Sequence, residues 1–205
     1  RNITQRATLN SDRSDELLPR AALMADCFRD LVARWHRLAP PLVWPAVVEL
    51  LPPACAHLGG RIERLGLINC FQWHLEDECR ACYAQEAAVG QLKYEIDRSN
   101  GRRVRAIDEI DEAILPRLRP GLSELAGAPI ALVTPGALVD RLAILALKEH
   151  HAAERGDGAA RLAQLEEQTA DLCLGMDALM AELVAGRQRL KFYGTLKFYG
   201  SQPDP

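Results

Sequence analysis

The stretch TPGALVDRLAILALKEHHAAERGDG, residues 134–158, constrains the fold more than any other part of the chain. Thr134 reads as an N-cap and Pro135 as the first helical residue, where its fixed φ suits the helix and its missing amide proton leaves no partner wanting. The helix then runs to the RGDG turn and is apolar on most of its sides, so other elements must pack around it. Narrower stripes at spacings of three and four mark its neighbours. Leu18, Ala22, Ala25, Phe28, Leu31, Val32 and Trp35 form one, ended by Pro40 and Pro41. A short element follows at residues 44–51. Pro52 and Pro53 come next, with Gly59 and Gly60 a break before a helix over 61–83, whose apolar side carries Ile62, Leu65, Ile68, Cys70, Trp73 and Cys79. Residues 86–118 form another, with a local bend expected at Gly101, and residues 159–186 the last, with Leu162, Leu165, Leu172, Met176, Leu179 and Leu183 in register. No alternating strand of useful length interrupts them. The fold expected is all-α, an antiparallel bundle of about five to seven helices with an extended C-terminal tail.

Residues 1–16 are polar without a period and read as an N-terminal arm, residues 17–189 as the helical bundle, and residues 190–205 as a tail in which LKFYG occurs twice in succession. Along a helix, two copies offset by six residues face directions about 120° apart. The first copy is therefore expected to close the packing and the second to leave it. With 205 residues, 48% of them hydrophobic, one domain can bury a sizeable core. A net charge of −3 carries no basic excess of the kind duplex nucleic acid attracts. No apolar run reaches the roughly 18–20 residues of a membrane span. Six cysteines sit mostly in helical stretches; Cys79 and Cys82 have CxxC spacing, but no second such pair completes a zinc set. Packed thiols in a reducing cytoplasm are expected. The chain opens at Arg1 rather than Met, so residues ahead of it are expected and targeting is not read.

Several ionisable residues interrupt the apolar pattern. His74 and Asp77 share a face in FQWHLEDECR, with Glu76 and Arg80 four apart. Asp97 and Asn100 share a face in the next helix, and Asp108 and Asp111 are again three apart. Asp140, Ile144, Leu147 and His151 form one stripe, with Arg141 and Lys148 on the adjoining flank. A solvated or surface-paired charge is the ordinary reading for most of these. Asp140 and Arg141 lie among Leu138, Val139, Leu142 and Ile144, where an unpaired charge would cost several kcal/mol, so a partner is expected.

FQWHLEDECR, IDRSNGRR, TPGALVDRLAILALKEHH and the LKFYG tail, in this order and spacing, resemble the bacterial domain of unknown function 4254 family. The resemblance runs from about Arg61 to the C-terminus. It rests on Asn69, Trp73, His74, Glu76, Asp77, Arg80, Asp97, Asn100, Arg103, Thr134, Pro135, Gly136, Asp140, Arg141, Leu142, Lys148, His151, Lys197, Tyr199 and Pro205. An Asn-Asp pair of the pattern is Val104 and Arg105 here, and an acid expected before Thr134 is Val133. The resemblance implies a role near envelope polysaccharide metabolism and names no activity.

Three functions are expected from these residues. The first is an enzyme or binding protein for a phosphorylated or sugar-nucleotide metabolite. His74, Asp77, Asp97, Asp140 and His151 would be catalytic, and a divalent ion such as Mg²⁺ would take carboxylate oxygens. Arg80, Arg103, Arg141 and Lys148 would hold the anion; Trp73, Glu76, Asn100, Lys197 and Tyr199 join them through the resemblance. A nucleotide pyrophosphohydrolase would use Asp108 and Asp111, but Asp77 beside Arg80 leaves its acidic set incomplete. The second is a transition-metal protein with histidine and carboxylate ligands from bundle helices, for which His-x-x-Asp occurs once. The third is a helical adaptor with a structural ion-pair network, a tail that docks by cation–π contacts, and a protein partner or second copy of itself.

Overall fold

The computed structural model describes residues 18–51, 57–84, 86–118 and 127–191. Six helices follow one another: α1 (Ala21–Leu38), α2 (Trp44–Leu50), α3 (Leu58–Ala81), α4 (Glu86–Ile114), α5 (Pro135–Arg155) and α6 (Ala159–Val184), with a 3₁₀ turn at Leu115–Arg117. Among the described residues there is no strand, only an isolated bridge between Ile130 and Arg189. The all-α expectation holds.

Helix α5 is the centre of the bundle and touches α1, α3, α4 and α6. Its composition explains this position, since Leu138, Val139, Leu142, Ala143, Leu145, Ala146 and Leu147 are all buried and together leave little of its circumference polar. Thr134 caps it as the sequence predicts, accepting from the Ala137 amide at 3.3 Å, and Gly156 ends it with φ 69°, a left-handed conformation that costs glycine nothing. A second cap comes from α4: the buried carboxylate of Asp111 accepts the Gly136 amide at 2.7 Å. A side chain at 136 is barred by the same approach, because its Cβ would stand 2.5 Å from the Ile107 carbonyl oxygen. The Thr-Pro-Gly start is thus both a helix signal and the contact that brings α5 against α4.

Two other helix starts are capped in less usual ways. Helix α3 begins at Leu58, three residues before the predicted start, because the His57 imidazole accepts the Gly60 amide at 3.0 Å and draws both glycines into the first turn. At the start of α1, where Arg20 provides no side-chain cap, the Ala21 amide donates to Asp177 of α6 at 3.0 Å. Helix α4 passes through Gly101 as one unbroken helix. The main core is a single cluster in which Phe28, Ile62, Leu65, Ile68, Phe71, Ile110, Ile114, Leu142 and Leu147 are almost wholly enclosed. Each such side chain contributes about 1.5–3 kcal/mol relative to exposure. Glu149 of α5 ties the outer helices together, accepting from Arg29 of α1 at 2.8 Å and from the Thr169 hydroxyl of α6 at 2.6 Å. Among the described residues no helix is long and apolar enough to cross a membrane.

After α6, Arg189 runs beside the segment before α5: its amide donates to the Pro129 carbonyl at 3.0 Å, and its carbonyl accepts the Ala131 amide at 2.9 Å. Leu190, the first residue of the doubled LKFYG, packs against the core. The second copy, with Lys197 and Tyr199, lies outside the described residues, as do residues 1–17.

Candidate metal centre

The chain has five histidines, and four of them meet at one place. The last turn of α1 presents His36, α3 presents His74, and α5 presents His150 and His151 in succession. From the His36 ring, the ring centres of His74, His150 and His151 lie at 5.0, 4.0 and 4.9 Å. The fifth, His57, caps α3.

Backbone geometry fixes how two of these rings are protonated. His36 Nδ1 lies 2.8 Å from the Val32 carbonyl oxygen and His74 Nδ1 lies 2.8 Å from that of Cys70, each on its own helix four residues back. A carbonyl only accepts, so each Nδ1 carries its proton and donates it. In the neutral rings each Nε2 is then a bare lone pair, and these two atoms face each other at 3.2 Å. Two lone pairs repel at that distance; a proton on one ring turns the contact into a hydrogen bond, and a metal ion bound by both relieves it as well. Two nitrogens bound at about 2.0–2.1 Å to a tetrahedral ion stand about 3.3–3.4 Å apart, so the observed separation is close to a coordination edge.

His151 could supply a third ligand. Its Nδ1 is 3.2 Å from Glu154, and its Nε2 is buried with no hydrogen-bond partner. One ligand atom from each of His36, His74 and His151 lies within 4.8 Å of the others. A second group, His36, His150 and Glu154, meets the same limit. Tryptophan walls the cluster: Trp73 stacks on His151 with planes 4° apart and centres at 5.2 Å, and Trp35 lies 5.7 Å from His74. Burial lowers the pKa of His74, with the His36 ring adding to the effect against the Cys70 carbonyl bond. Burial likewise lowers that of His151, helped by His36 and His74. Both rings are therefore inclined to the neutral form that a metal requires.

The remaining residues singled out in the sequence divide into two groups. Asp140 is buried and paired: Arg103 donates to it through both Nε, at 2.8 Å, and a terminal nitrogen, and Asn69 adds a third bond at 2.9 Å. The pairing holds the Arg103 guanidinium firmly in its charged form. This network joins α3, α4 and α5, but on α5 it lies 11 residues from His151, about 16 Å along the axis. Asp111 is occupied as the cap of α5. The others lie outward. Asp77 and Arg80 are exposed and paired with each other at 2.6 Å, Glu76 faces Lys93 at 3.7 Å, and Asn100 accepts from Gln72 at 2.7 Å. Asp97, Arg141 and Lys148 are exposed. Val133, where the family pattern has an acid, packs against the core.

The structure thus brings together His74, His151 and Trp73 in one place and Asp140 with Arg103 in another, and it adds His36, His150 and Glu154, which the sequence reading did not single out. A signal for His36 was present: the doublet Trp-His occurs twice, at Trp35–His36 and Trp73–His74.

The model of the family described as "Protein of unknown function (DUF4254)" matches residues 60–192, and the chain belongs to that family. No curated protein and no solved structure matches the chain.

Proposed function

From membership of a family whose description states no chemistry, we propose that this protein binds one divalent transition-metal ion per chain through the Nε2 atoms of His36, His74 and His151. The observation that carries this is the 3.2 Å approach of two Nε2 lone pairs whose Nδ1 protons are both committed to backbone carbonyls. A shared proton is the competing explanation; burial and the neighbouring rings, which lower the pKa of His74, weigh against it.

Backbone carbonyls orient two of the ligands and Glu154 orients the third, the outer-sphere arrangement that usually accompanies metal-bound imidazole. His36, His74 and His151 would hold the ion with three nitrogens, the ligand number of catalytic rather than structural zinc sites, and the chemistry it would supply when bound is Lewis-acid activation. The walls of Trp35 and Trp73 restrict access from the bundle side. The reading as a phosphorylated-metabolite enzyme has weaker support, because Arg103 and Arg80, expected to clamp the anion, are held by Asp140 and Asp77. For the Asp140 network, the closed set of bonds favours a structural ion pair.

Chelator-treated protein titrated with Zn²⁺ and Co²⁺ should take up one ion per chain by calorimetry and elemental analysis. Saturation at a hundred times the dissociation constant should add about 2.7 kcal/mol of stability. His74→Ala should abolish uptake while keeping the helical circular dichroism spectrum. Absence of binding by wild type, or undiminished binding by His74→Ala, refutes the assignment.

A further inference from the structure

The histidine cluster offers two overlapping triads, and they share His36. An imidazole whose Nδ1 is bonded to the Val32 carbonyl has only Nε2 left for coordination, so His36 serves one ion at a time. The triads are therefore alternative positions for a single ion. They differ in exposure: the side chains of Glu154, His150 and His151 are 51, 27 and 13% exposed, a gradient from solvent inward. The Glu154 carboxylate stands at the junction, one oxygen 3.4 Å from His150 Nε2 and the other 3.2 Å from His151 Nδ1. His150 Nε2 is buried and faces only the Glu154 carboxylate, outside hydrogen-bond geometry, so a metal ion that displaces any proton on this nitrogen meets both groups at once.

We infer that His150, with Glu154 and His36, forms an outer receiving position, from which a divalent transition-metal ion passes to the inner set of His36, His74 and His151. This rests on the metal-binding reading above and adds the route. An incoming ion exchanges part of its water shell for Glu154 and His150 first. His36, whose ring centre is 4.0 Å from that of His150 and 5.0 Å from that of His74, remains bound while His150 and Glu154 are replaced by His74 and His151. The transfer replaces ligands in succession and never strips the ion bare, so it avoids the full desolvation cost of direct passage past the tryptophans.

A group that acts only on the route must change association and dissociation by the same factor, because the end states are unaltered. Stopped-flow binding of Zn²⁺ to the full chain, and its extraction by excess chelator, should both slow at least tenfold in His150→Ala and His150→Phe. The dissociation constant should stay within about threefold of wild type, and the stoichiometry should stay at one. Thermal melting of the metal-free variants checks that the bundle is intact, and the phenylalanine variant preserves the ring's volume. If dissociation alone accelerates, His150 is an ordinary ligand of the final site and the route is refuted. Unchanged rates in both directions also refute it while leaving the metal centre standing, and failure of wild type to bind any ion removes both.

Discussion

Removing Arg103 tests whether the Asp140 network is structural. Asp140 is nearly inaccessible and receives three hydrogen bonds, two of them from the guanidinium. In Arg103→Ala only the neutral amide of Asn69 remains to stabilise the carboxylate. Loss of one partner of a buried pair costs about 3–5 kcal/mol, chiefly because the other charge is left uncompensated. The Arg103 side chain is 26% exposed, so water can reach part of the vacated space, and the lower end, about 3 kcal/mol, applies. For a chain of this size that corresponds to a melting temperature lower by about 6–12 °C. Urea unfolding followed by circular dichroism should show a reduced midpoint at constant slope. The double substitution Arg103→Met with Asp140→Leu removes both charges and should recover most of the loss, since an apolar replacement of the whole pair is often neutral. Metal stoichiometry should not change in either variant. A loss below about 1 kcal/mol for Arg103→Ala, or disappearance of metal binding from a folded variant, would overturn the separation of the two polar centres.

Gly136→Ala should destabilise by at least about 2 kcal/mol in the same assay, because relieving a Cβ at 2.5 Å from the Ile107 carbonyl pushes α5 off α4 and stretches the Gly136–Asp111 bond; a midpoint within error of wild type would refute the close approach. The metal-free protein should gain stability as pH rises to about 6.5. His74 and His151 have folded-state pKa values below that ordinary value, so the unfolded chain binds more protons across the interval. Above it their contribution is level. Thermal melts in chelator from pH 5 to 8 should show this rise, and replacing both residues by Gln should flatten it; a wild-type profile that falls or stays flat from pH 5 to 6.5 contradicts the buried neutral rings.

What could be read from the sequence follows from how local each signal is. Helix α5 was legible almost to the residue, because its cap, its proline and its terminal glycine lie within the segment itself. The onset of α3 was not, although its signal is equally local: His57 caps Gly60 three residues ahead, but imidazole is not among the favoured capping side chains, and Gly59 and Gly60 read as a break. Asp140 was legible as a buried charge in need of a partner, since apolar neighbours surround it in the sequence; the identity of that partner required the register between α4 and α5. The histidine cluster was legible only in halves. His74 and His151 stood out through their own helices, whereas His36 sits in the last turn of α1, where a basic residue already satisfies the helix dipole and calls for no further explanation. His150 precedes a more conspicuous neighbour on the Asp140 stripe.

The buried Asp140 network and the half-buried histidine cluster are separated by what their atoms lack rather than by what they contain. Around Asp140 every strong acceptor has a donor, and Arg103 completes the charge balance; such a set resists a ligand, because binding one would first have to break bonds already made. Around His36 the protons are held on the outer nitrogens by helix carbonyls, so in the neutral rings the inner nitrogens have no proton to donate to each other and cannot turn away without breaking those bonds. His151 Nε2 adds a third buried nitrogen with no hydrogen-bond partner. Nitrogens from three different helices that converge beside two tryptophans suit a species that accepts lone pairs, and a shared proton or a water donating to two rings competes with a metal ion for that place, which is the choice that metal titration of the wild-type chain decides.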